Sequence, residues 1–253
     1  MKNNNGFLTI EKQINLLKSK NFILPINVNN ILEEVNYYTL MSFKNIFYDN
    51  GIEHQYKKNI NFEWFYKLYN YDLLIKQELL KNFLKVKNKY ISLLSNYFND
   101  YENNFMEQGY LNNTLYKKNI INKIYTNKII NNETVKNYFS SHNFLPIWVL
   151  LNSLNYVELI NYILDINDEA FSKIGILTTP EELKFSIYVF ERIISSEKIY
   201  DFRKEDLNLN VIINLFEINN VNTEIINIYK NIYKNIPCIS QEDIFRETGI
   251  KLG

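Results

Sequence analysis

The sequence of 253 residues is poor in glycine, proline and cysteine. All-β proteins need the first two for their turns, and disulfide-stabilised and cysteine-metal proteins need the third. Its six glycines and four prolines are few for this length, which favours long helices joined by short polar loops. Cys238 is the only cysteine, so an intrachain disulfide and a cysteine metal cluster are both excluded. A lone cysteine is typical of a reducing compartment, and we therefore expect a cytoplasmic protein.

The chain also lacks net charge. Lysine plus arginine and aspartate plus glutamate both total 28, so the protein as a whole has no electrostatic attraction for nucleic acid or acidic lipid. Any nucleic-acid site must therefore be a local basic patch. The apolar content of 46% is enough for a sizeable core.

No stretch has the composition of a membrane span. The most apolar one, residues 147–164, is interrupted by Asn152, Asn155, Glu158 and Asn161 at helical spacing. This pattern is typical of a half-buried helix. The polar N-terminus has no apolar signal-peptide core. We expect a soluble protein with no membrane partner.

Periodicity and capping signals predict an all-α fold. The longest periodic run, residues 62–98, contains neither glycine nor proline and is predicted to form one long helix. Thr9 is predicted to cap a first helix, and a second is expected over about residues 30–47. Residues 99–143 are less regular and are interpreted as a helix-containing insertion.

The clearest helix start is at Thr179, which is followed by Pro180 and, three residues on, by Glu182. This order combines an N-cap, an N1 proline and a capping-box glutamate. Leu183, Ile187, Phe190 and Ile194 are expected to be the buried face of this helix. Two further expectations concern the preceding and final helices: Pro146 opens a helix that carries Trp148 and continues through Leu154 to Val157, and Ser240 caps a last helix over 241–248. Trp148 is also expected to pack in the core with Tyr37, Tyr38, Phe65 and Tyr69.

Four sequence blocks, in the same order, resemble the Abi-like family of bacterial abortive-infection proteins. They span roughly residues 7 to 200. The blocks are Phe7-Leu8-Thr9 through Lys18, Asn36-Tyr37-Tyr38 through Phe43, Phe62 with Leu68-Tyr69 and Asp72, and Leu145-Pro146-Ile147-Trp148-Val149-Leu150.

The resemblance implies a helical bundle of the HEPN type with a helical insertion and extra C-terminal helices. It places this domain at residues 7–200 and leaves 201–253 as a helical extension packed on it. HEPN ribonucleases cut RNA without a metal or other cofactor, commonly through a homodimer. RNA, a second copy of the chain, and an antitoxin or phage-derived trigger are therefore the partners that the resemblance implies.

The family's signature is Arg-Asn-x-x-x-His near the end of a late helix. Here Arg192 matches the arginine, whereas Ile193 and Glu197 stand at the asparagine and histidine positions. By resemblance, Arg192 would stabilise charge on a phosphate and Glu197 would take the histidine's place in proton transfer. Two other interpretations stay open: Arg192 is an exposed helix arginine, and Glu197 is a solvated or ion-paired acid whose pKa Arg192 and Lys198 would lower.

Lysines supply the candidate RNA contacts. Lys81, Lys85 and Lys89 recur every four residues and form one basic row on the long helix, and Lys198 adjoins the motif. An anionic strand would relieve the repulsion within the row, although Glu78 and solvent can do the same. A second group consists of Lys117, Lys118, Lys123 and Lys128, interleaved with Tyr116 and Tyr125, which suggests binding by charge and stacking.

Other chemistry has weaker support. His54 and His142 are the only histidines, and neither lies in a motif, so each is interpreted as a surface residue and no metal site is predicted. Three hypotheses remain open: an RNA-cleaving defence protein, a degenerate HEPN domain that binds RNA or a protein without cleavage, and a site that has moved to His142.

Overall fold

The structure is a computed structural model that describes residues 8–49, 56–100, 109–118, 120–195, 208–248 and 250. Within these ranges it contains thirteen α-helices and no β-strand, which confirms the predicted all-α class. The HEPN-type arrangement in particular stays a prediction.

The chain divides into two compact units. Unit 1 comprises Met1–Glu78, Lys198–Leu209 and Glu224–Gly253, and unit 2 comprises Leu79–Glu197 and Asn210–Thr223. The predicted domain boundary at residue 200 lies outside the described residues and also stays a prediction.

The described helices of unit 1 are short, apart from the first part of a 38-residue helix that continues into unit 2. They are α1 (Ile10–Ser19), α2 (Val28–Glu34), α3 (Tyr37–Met41), α4 (Glu63–Asp100), α12 (Ile225–Asn235) and α13 (Gln241–Thr248). The core is aromatic: the Phe65 ring lies 4.2 Å from that of Phe47 and 5.6 Å from those of Phe22 and Phe62.

Unit 2 contains the rest of α4 and seven further helices. They are α5 (Ile120–Asn131), α6 (Glu133–His142), α7 (Ile147–Ser153), α8 (Tyr156–Asp165), α9 (Asp168–Ile174), α10 (Pro180–Ile194) and α11 (Leu209–Ile218). The core forms around Phe83 of α4, whose ring contacts Tyr156 of α8, Phe190 of α10 and Phe216 of α11 at 4.9, 5.6 and 5.2 Å.

The capping signals of the sequence are confirmed. The Thr179 hydroxyl accepts a bond from the backbone N–H of Glu182, whose carboxylate accepts the N–H of Thr179 in return, so α10 begins at Pro180. Thr9 caps α1, and Ser240 with Asp243 caps α13 in the same way. The long helix is also confirmed, with the side chain of Asn61 bonded to the N–H of Glu63.

Two predicted helices are interrupted, in each case by an asparagine cap. The helix expected over 30–47 is replaced by α2, α3 and a 3₁₀ turn, because the Asn36 side chain accepts the N–H of Tyr38 and starts α3. The helix expected from Pro146 through Leu154 ends at Ser153. Asn155 then forms a reciprocal capping box with Glu158 and starts α8.

Three predicted core residues are exposed instead, and one of them is Tyr38, at 51%. Trp148 is 49% exposed, and its ring lies 5.9 Å from that of Tyr138, so the prediction of a core position was wrong. Ile194 is 62% exposed because the buried stripe of α10 runs through Leu183, Ser186 and Val189 to Ile193. Ile194 is rotated by about 100° around the helix from Ile193 and lies outside that stripe.

Candidate functional site

Arg192 lies in the last turn of α10, half-buried, where a cation is stabilised by the helix dipole. Its Nη1 donates a hydrogen bond to the hydroxyl of Tyr188, one turn earlier, at 2.9 Å. The guanidinium carbon lies 5.6 Å from the centroid of the Tyr188 ring. This geometry combines a hydrogen bond with a cation–π contact and orients the planar guanidinium, which can bind phosphate oxygens through two parallel N–H groups.

The motif residues that are expected to act with Arg192 lie outside the described part of the chain. Glu197 and Lys198 lie outside the described residues, as does His54. His142, at the end of α6, is exposed: its ring stacks on Tyr138 at 4.2 Å, and its Nδ1 lies 3.0 Å from the Tyr138 carbonyl oxygen. A role for His142 in chemistry stays a hypothesis.

The lysine row and Arg192 project in different directions. Phe83 and Phe190 face each other across α4 and α10, and Lys81 and Lys85 are each two residues from Phe83. Two residues correspond to a rotation of about 200° around a helix, so these two lysines point away from α10. Arg192 is likewise two residues beyond Phe190, so it points away from α4. The row of Lys81, Lys85 and Lys89 therefore forms a separate surface from Arg192 within one chain.

The second group of lysines does not form the expected stacking surface. Tyr116 is buried, and its hydroxyl donates to the carbonyl of Tyr110 and lies 2.9 Å from the Tyr162 hydroxyl. Burial raises the pKa of Tyr116 well above its ordinary value. Lys128 forms an ion pair with Glu158 at 2.8 Å. Base stacking on Tyr116 is therefore excluded, and Lys128 is occupied by a carboxylate.

Lys117 and Lys118 instead line a groove of about 710 Å³ in unit 2. Its walls come from the residues just before α5, from α5 and α8, and from the first turns of α10. The lining residues are Lys117, Lys118, Ile120, Ile124, Glu158, Asn161, Leu164, Asp165, Pro180 and Lys184. We call this feature the α5–α8–α10 groove.

Asp165 holds one edge of the groove in place. One carboxylate oxygen accepts the N–H of Lys118 at 2.7 Å, and the other accepts the N–H of Ile120 at 2.9 Å. Its carbonyl oxygen accepts the N–H of Lys117 at 2.6 Å. The buried carboxylate thus satisfies N–H groups at the start of α5, a position where the helix dipole favours a negative charge.

The carboxylates at the groove are already matched by donors, whereas two of its lysines are not. Glu158 accepts from Lys128 and from the backbone N–H of Asn155. Lys118 and Lys184 are exposed, and neither has an ion-pair partner within the described ranges. The groove therefore presents uncompensated positive charge above an apolar floor. The sequence signalled Lys117 and Lys118 but gave no sign of Lys184, which lies far from them along the chain.

Two further observations concern the described residues alone. No three histidine, cysteine, aspartate or glutamate side chains among them lie in a group that could hold a metal ion. None of their helices combines the length and apolar character needed to cross a membrane.

Comparison with known proteins gives one match. The model of the Abi-like protein family matches residues 30–199, a range that begins after α1 and includes Arg192. No curated protein matched the chain, and no solved structure matched it. Because the family model covers more than half of the chain, and three of the four sequence blocks lie within the matched range, the protein belongs to the Abi-like family.

Proposed function

We propose that this protein acts in abortive-infection defence against phage and that it does so on RNA, with Arg192 binding a phosphate. Membership of the Abi-like family carries the proposal of a defence role. The placement of Arg192 supports the RNA part: its guanidinium is oriented by Tyr188 at the end of α10, within the matched range. An arginine held in this way is suited to planar, two-pronged recognition of a phosphate.

In this proposal Glu197 accepts the proton of the 2′-hydroxyl, and the 2′-oxygen attacks the phosphorus. The bond to the 5′-oxygen breaks, that oxygen takes a proton from water, and Arg192 stabilises the negative charge that develops on the phosphate. No metal or cofactor takes part. A homodimer would bring two such motifs together, as in other paired HEPN domains. The proposal therefore includes self-association, which light scattering on the purified protein would measure.

A second candidate function is binding of RNA without cleavage. The observation that favours it is the glutamate at the histidine position of the motif. A glutamate has an ordinary pKa of about 4.3 and is ionised at neutral pH, so it can accept a proton but has none to donate to a leaving group. A site that lacks this proton donor can bind a phosphodiester but is poorly suited to cleave it.

Replacing Arg192 with alanine is expected to weaken RNA binding about tenfold or more and to abolish any cleavage. The reason is that a charge-assisted hydrogen bond contributes about 1.5–3 kcal/mol, and 1.4 kcal/mol corresponds to a factor of ten. Fluorescence anisotropy with labelled single-stranded RNA measures binding, and a denaturing gel of the same reaction measures cleavage.

Three variants control this experiment. Arg192→Lys keeps the charge but loses the planar fork, and should retain part of the binding. Tyr188→Phe keeps the ring and removes only the hydroxyl that positions the guanidinium. Lys18→Ala removes an exposed charge from α1 and should change nothing. Equal binding and equal cleavage by wild type and Arg192→Ala would exclude the role of Arg192, and binding without products in wild type would establish the second candidate.

A further inference from the structure

The α5–α8–α10 groove combines features that the Arg192 motif does not use. It is concave, it has an apolar floor, and its rim has lysines from two separate segments of the chain. We infer that this groove binds a nucleoside phosphate, with the phosphate on Lys118 and Lys184 and the base on the apolar floor. We expect the nucleotide to be part of an RNA strand, and this part of the inference rests on the proposed function.

Size and lining fit such a ligand. The volume of about 710 Å³ lies within the range of about 300–1,000 Å³ that ligand pockets occupy. Ile120, Ile124 and Leu164 are half-buried and give the groove apolar surface on which the face of a base can lie. The exposed amide of Asn161 supplies both a donor and an acceptor for the polar edge of a base.

The charges of the groove favour an anion. Lys118 and Lys184 have no ion-pair partner in the described ranges, whereas Glu158 and Asp165 are matched by Lys128 and by backbone N–H groups. Lys117 also lines the groove, and its Nζ lies 2.6 Å from the exposed carboxylate of Asp168. An incoming phosphate therefore meets two ammonium groups without an ion-pair partner in the described ranges, and both carboxylates that line the groove are already engaged.

The position of Lys118 is fixed before a ligand arrives. The Asp165 carboxylate accepts a hydrogen bond from the backbone N–H of Lys118. Three residues before Lys118, the carbonyl oxygen of Leu115 accepts the N–H of Asn167 at 2.8 Å. Lys184 is held separately, on the second turn of α10, by the cap at Thr179. Because both backbones are held by hydrogen bonds, a ligand has to order only the two side chains, and preorganisation of this kind favours binding.

The row of Lys81, Lys85 and Lys89 is a different kind of surface. It runs along one face of a single helix, and its lysines do not line the α5–α8–α10 groove. The two lysine surfaces therefore give competing predictions for the same measurement. The groove predicts that Lys118 and Lys184 control binding, and the row predicts that Lys81 and Lys85 do.

The test compares two double variants that each remove two positive charges from unit 2, Lys118→Gln with Lys184→Gln and Lys81→Gln with Lys85→Gln. Anisotropy is measured with labelled single-stranded RNA of about 12 nucleotides, a length within the usual site size of single-strand binders. The groove variant is expected to bind at least about tenfold more weakly, with a log–log salt slope reduced by about 1.4. The row variant is expected to change affinity less than about twofold. Circular dichroism and thermal unfolding verify that both variants fold.

A second arm uses AMP as the probe in isothermal titration calorimetry and separates a free nucleotide from a strand. If wild type binds AMP but not RNA, and the groove variant no longer binds AMP, the groove inference is supported and the proposed action on RNA is contradicted. If wild type binds RNA and the groove variant binds it equally well, the groove inference is overturned and the Arg192 proposal is unaffected. If wild type binds neither RNA nor AMP, the groove inference and the proposed action on RNA are both contradicted.

Discussion

Replacing Phe83 with alanine is expected to lower the free energy of unfolding of unit 2 by about 3–5 kcal/mol. Phe83 is 0% exposed, and its ring is surrounded by the rings of Tyr156, Phe190 and Phe216, one from each of three helices. Alanine would remove all three contacts and leave a cavity that rigid helices cannot fill. The edge-to-face geometry of these pairs adds to the loss from reduced burial.

The two tryptophans make this measurement specific, because Trp64 belongs to unit 1 and Trp148 to unit 2. In a Trp64→Phe background, the fluorescence of Trp148 reports urea unfolding of unit 2. Leu84→Ala is the matched control: it removes an apolar side chain at the next position of the same helix, but one that is 56% exposed. We expect this control to cost well under 1 kcal/mol. Similar losses from both variants would contradict the assignment of Phe83 to the core.

The second large effect is expected at the ion pair of Lys57 and Asp243, which joins the loop before α4 to α13 in unit 1. The Nζ of Lys57 lies 2.5 Å from the Asp243 carboxylate, and their side chains are 19% and 8% exposed. The same Nζ donates to the carbonyl of Cys238 at 2.8 Å. Asp243→Ala should cost about 3–5 kcal/mol, because it leaves the Lys57 ammonium without its counter-charge and removes the cap of α13.

The pair also makes the stability of unit 1 depend on pH. Burial alone would raise the pKa of Asp243, but the hydrogen bonds from Lys57 and Ser240 outweigh it and hold the pKa below its ordinary value. A carboxyl with a depressed pKa in the folded state contributes stability above its unfolded pKa of about 3.9. That contribution is lost as the pH falls from about 5 through the lower, folded pKa. Asp243→Asn should therefore flatten the dependence of unfolding on pH in this acidic range.

The exposed pair of Lys67 and Glu63 on α4 provides the control within the same unit. Its side chains are 41% and 40% exposed and 3.4 Å apart, so its removal should cost about 0.3–0.5 kcal/mol. A Trp148→Phe background leaves Trp64 to report the unfolding of unit 1. If Glu63→Ala and Asp243→Ala destabilise unit 1 equally, or if Asp243→Asn leaves the acid limb unchanged, the buried pair does not have the assigned role.

Local signals in the sequence determined much of the helix content. The starts of α1, α10 and α13 followed from Thr9, Thr179 and Ser240, because an N-cap and its partner lie within three or four residues of each other. The long α4 followed from an uninterrupted 3.6-residue period without glycine or proline. These features depend on nearest neighbours along the chain, and so the sequence alone contains them.

The interruptions could also have been predicted from local chemistry. The helical spacing of polar residues predicts that Asn155 lies on the polar face of a continuous helix. Asn-x-x-Glu is also a capping-box pattern, however, and the side chains of Asn155 and Glu158 use it to start α8. Asn36 acts in the same way before α3. In a chain so rich in asparagine, composition alone does not distinguish an asparagine on a helix face from one that caps a helix. The hydrogen bond to the following N–H makes that distinction.

The candidate sites also differ in whether the sequence alone could identify them. Arg192 could be selected from the sequence because family resemblance assigns it a position in a motif, and its partner Tyr188 lies one turn away. The α5–α8–α10 groove could not, because Lys118 and Lys184 lie on distant segments of the chain. The carboxylate of Asp165, which is 47 residues from Lys118, accepts the Lys118 N–H and holds that segment at the groove. Lys57 and Asp243 are 186 residues apart.

The sequence by itself therefore determined the helical class, several helix starts and the family, since these depend on residue type and on contacts within one or two turns. Only the tertiary structure decided which side of each helix is buried, as Trp148 and Ile194 show, and which distant lysines share a groove. The physical reason is that exposure and charge convergence depend on which helices pack together. In this chain, contacts between residues far apart in the sequence set that packing.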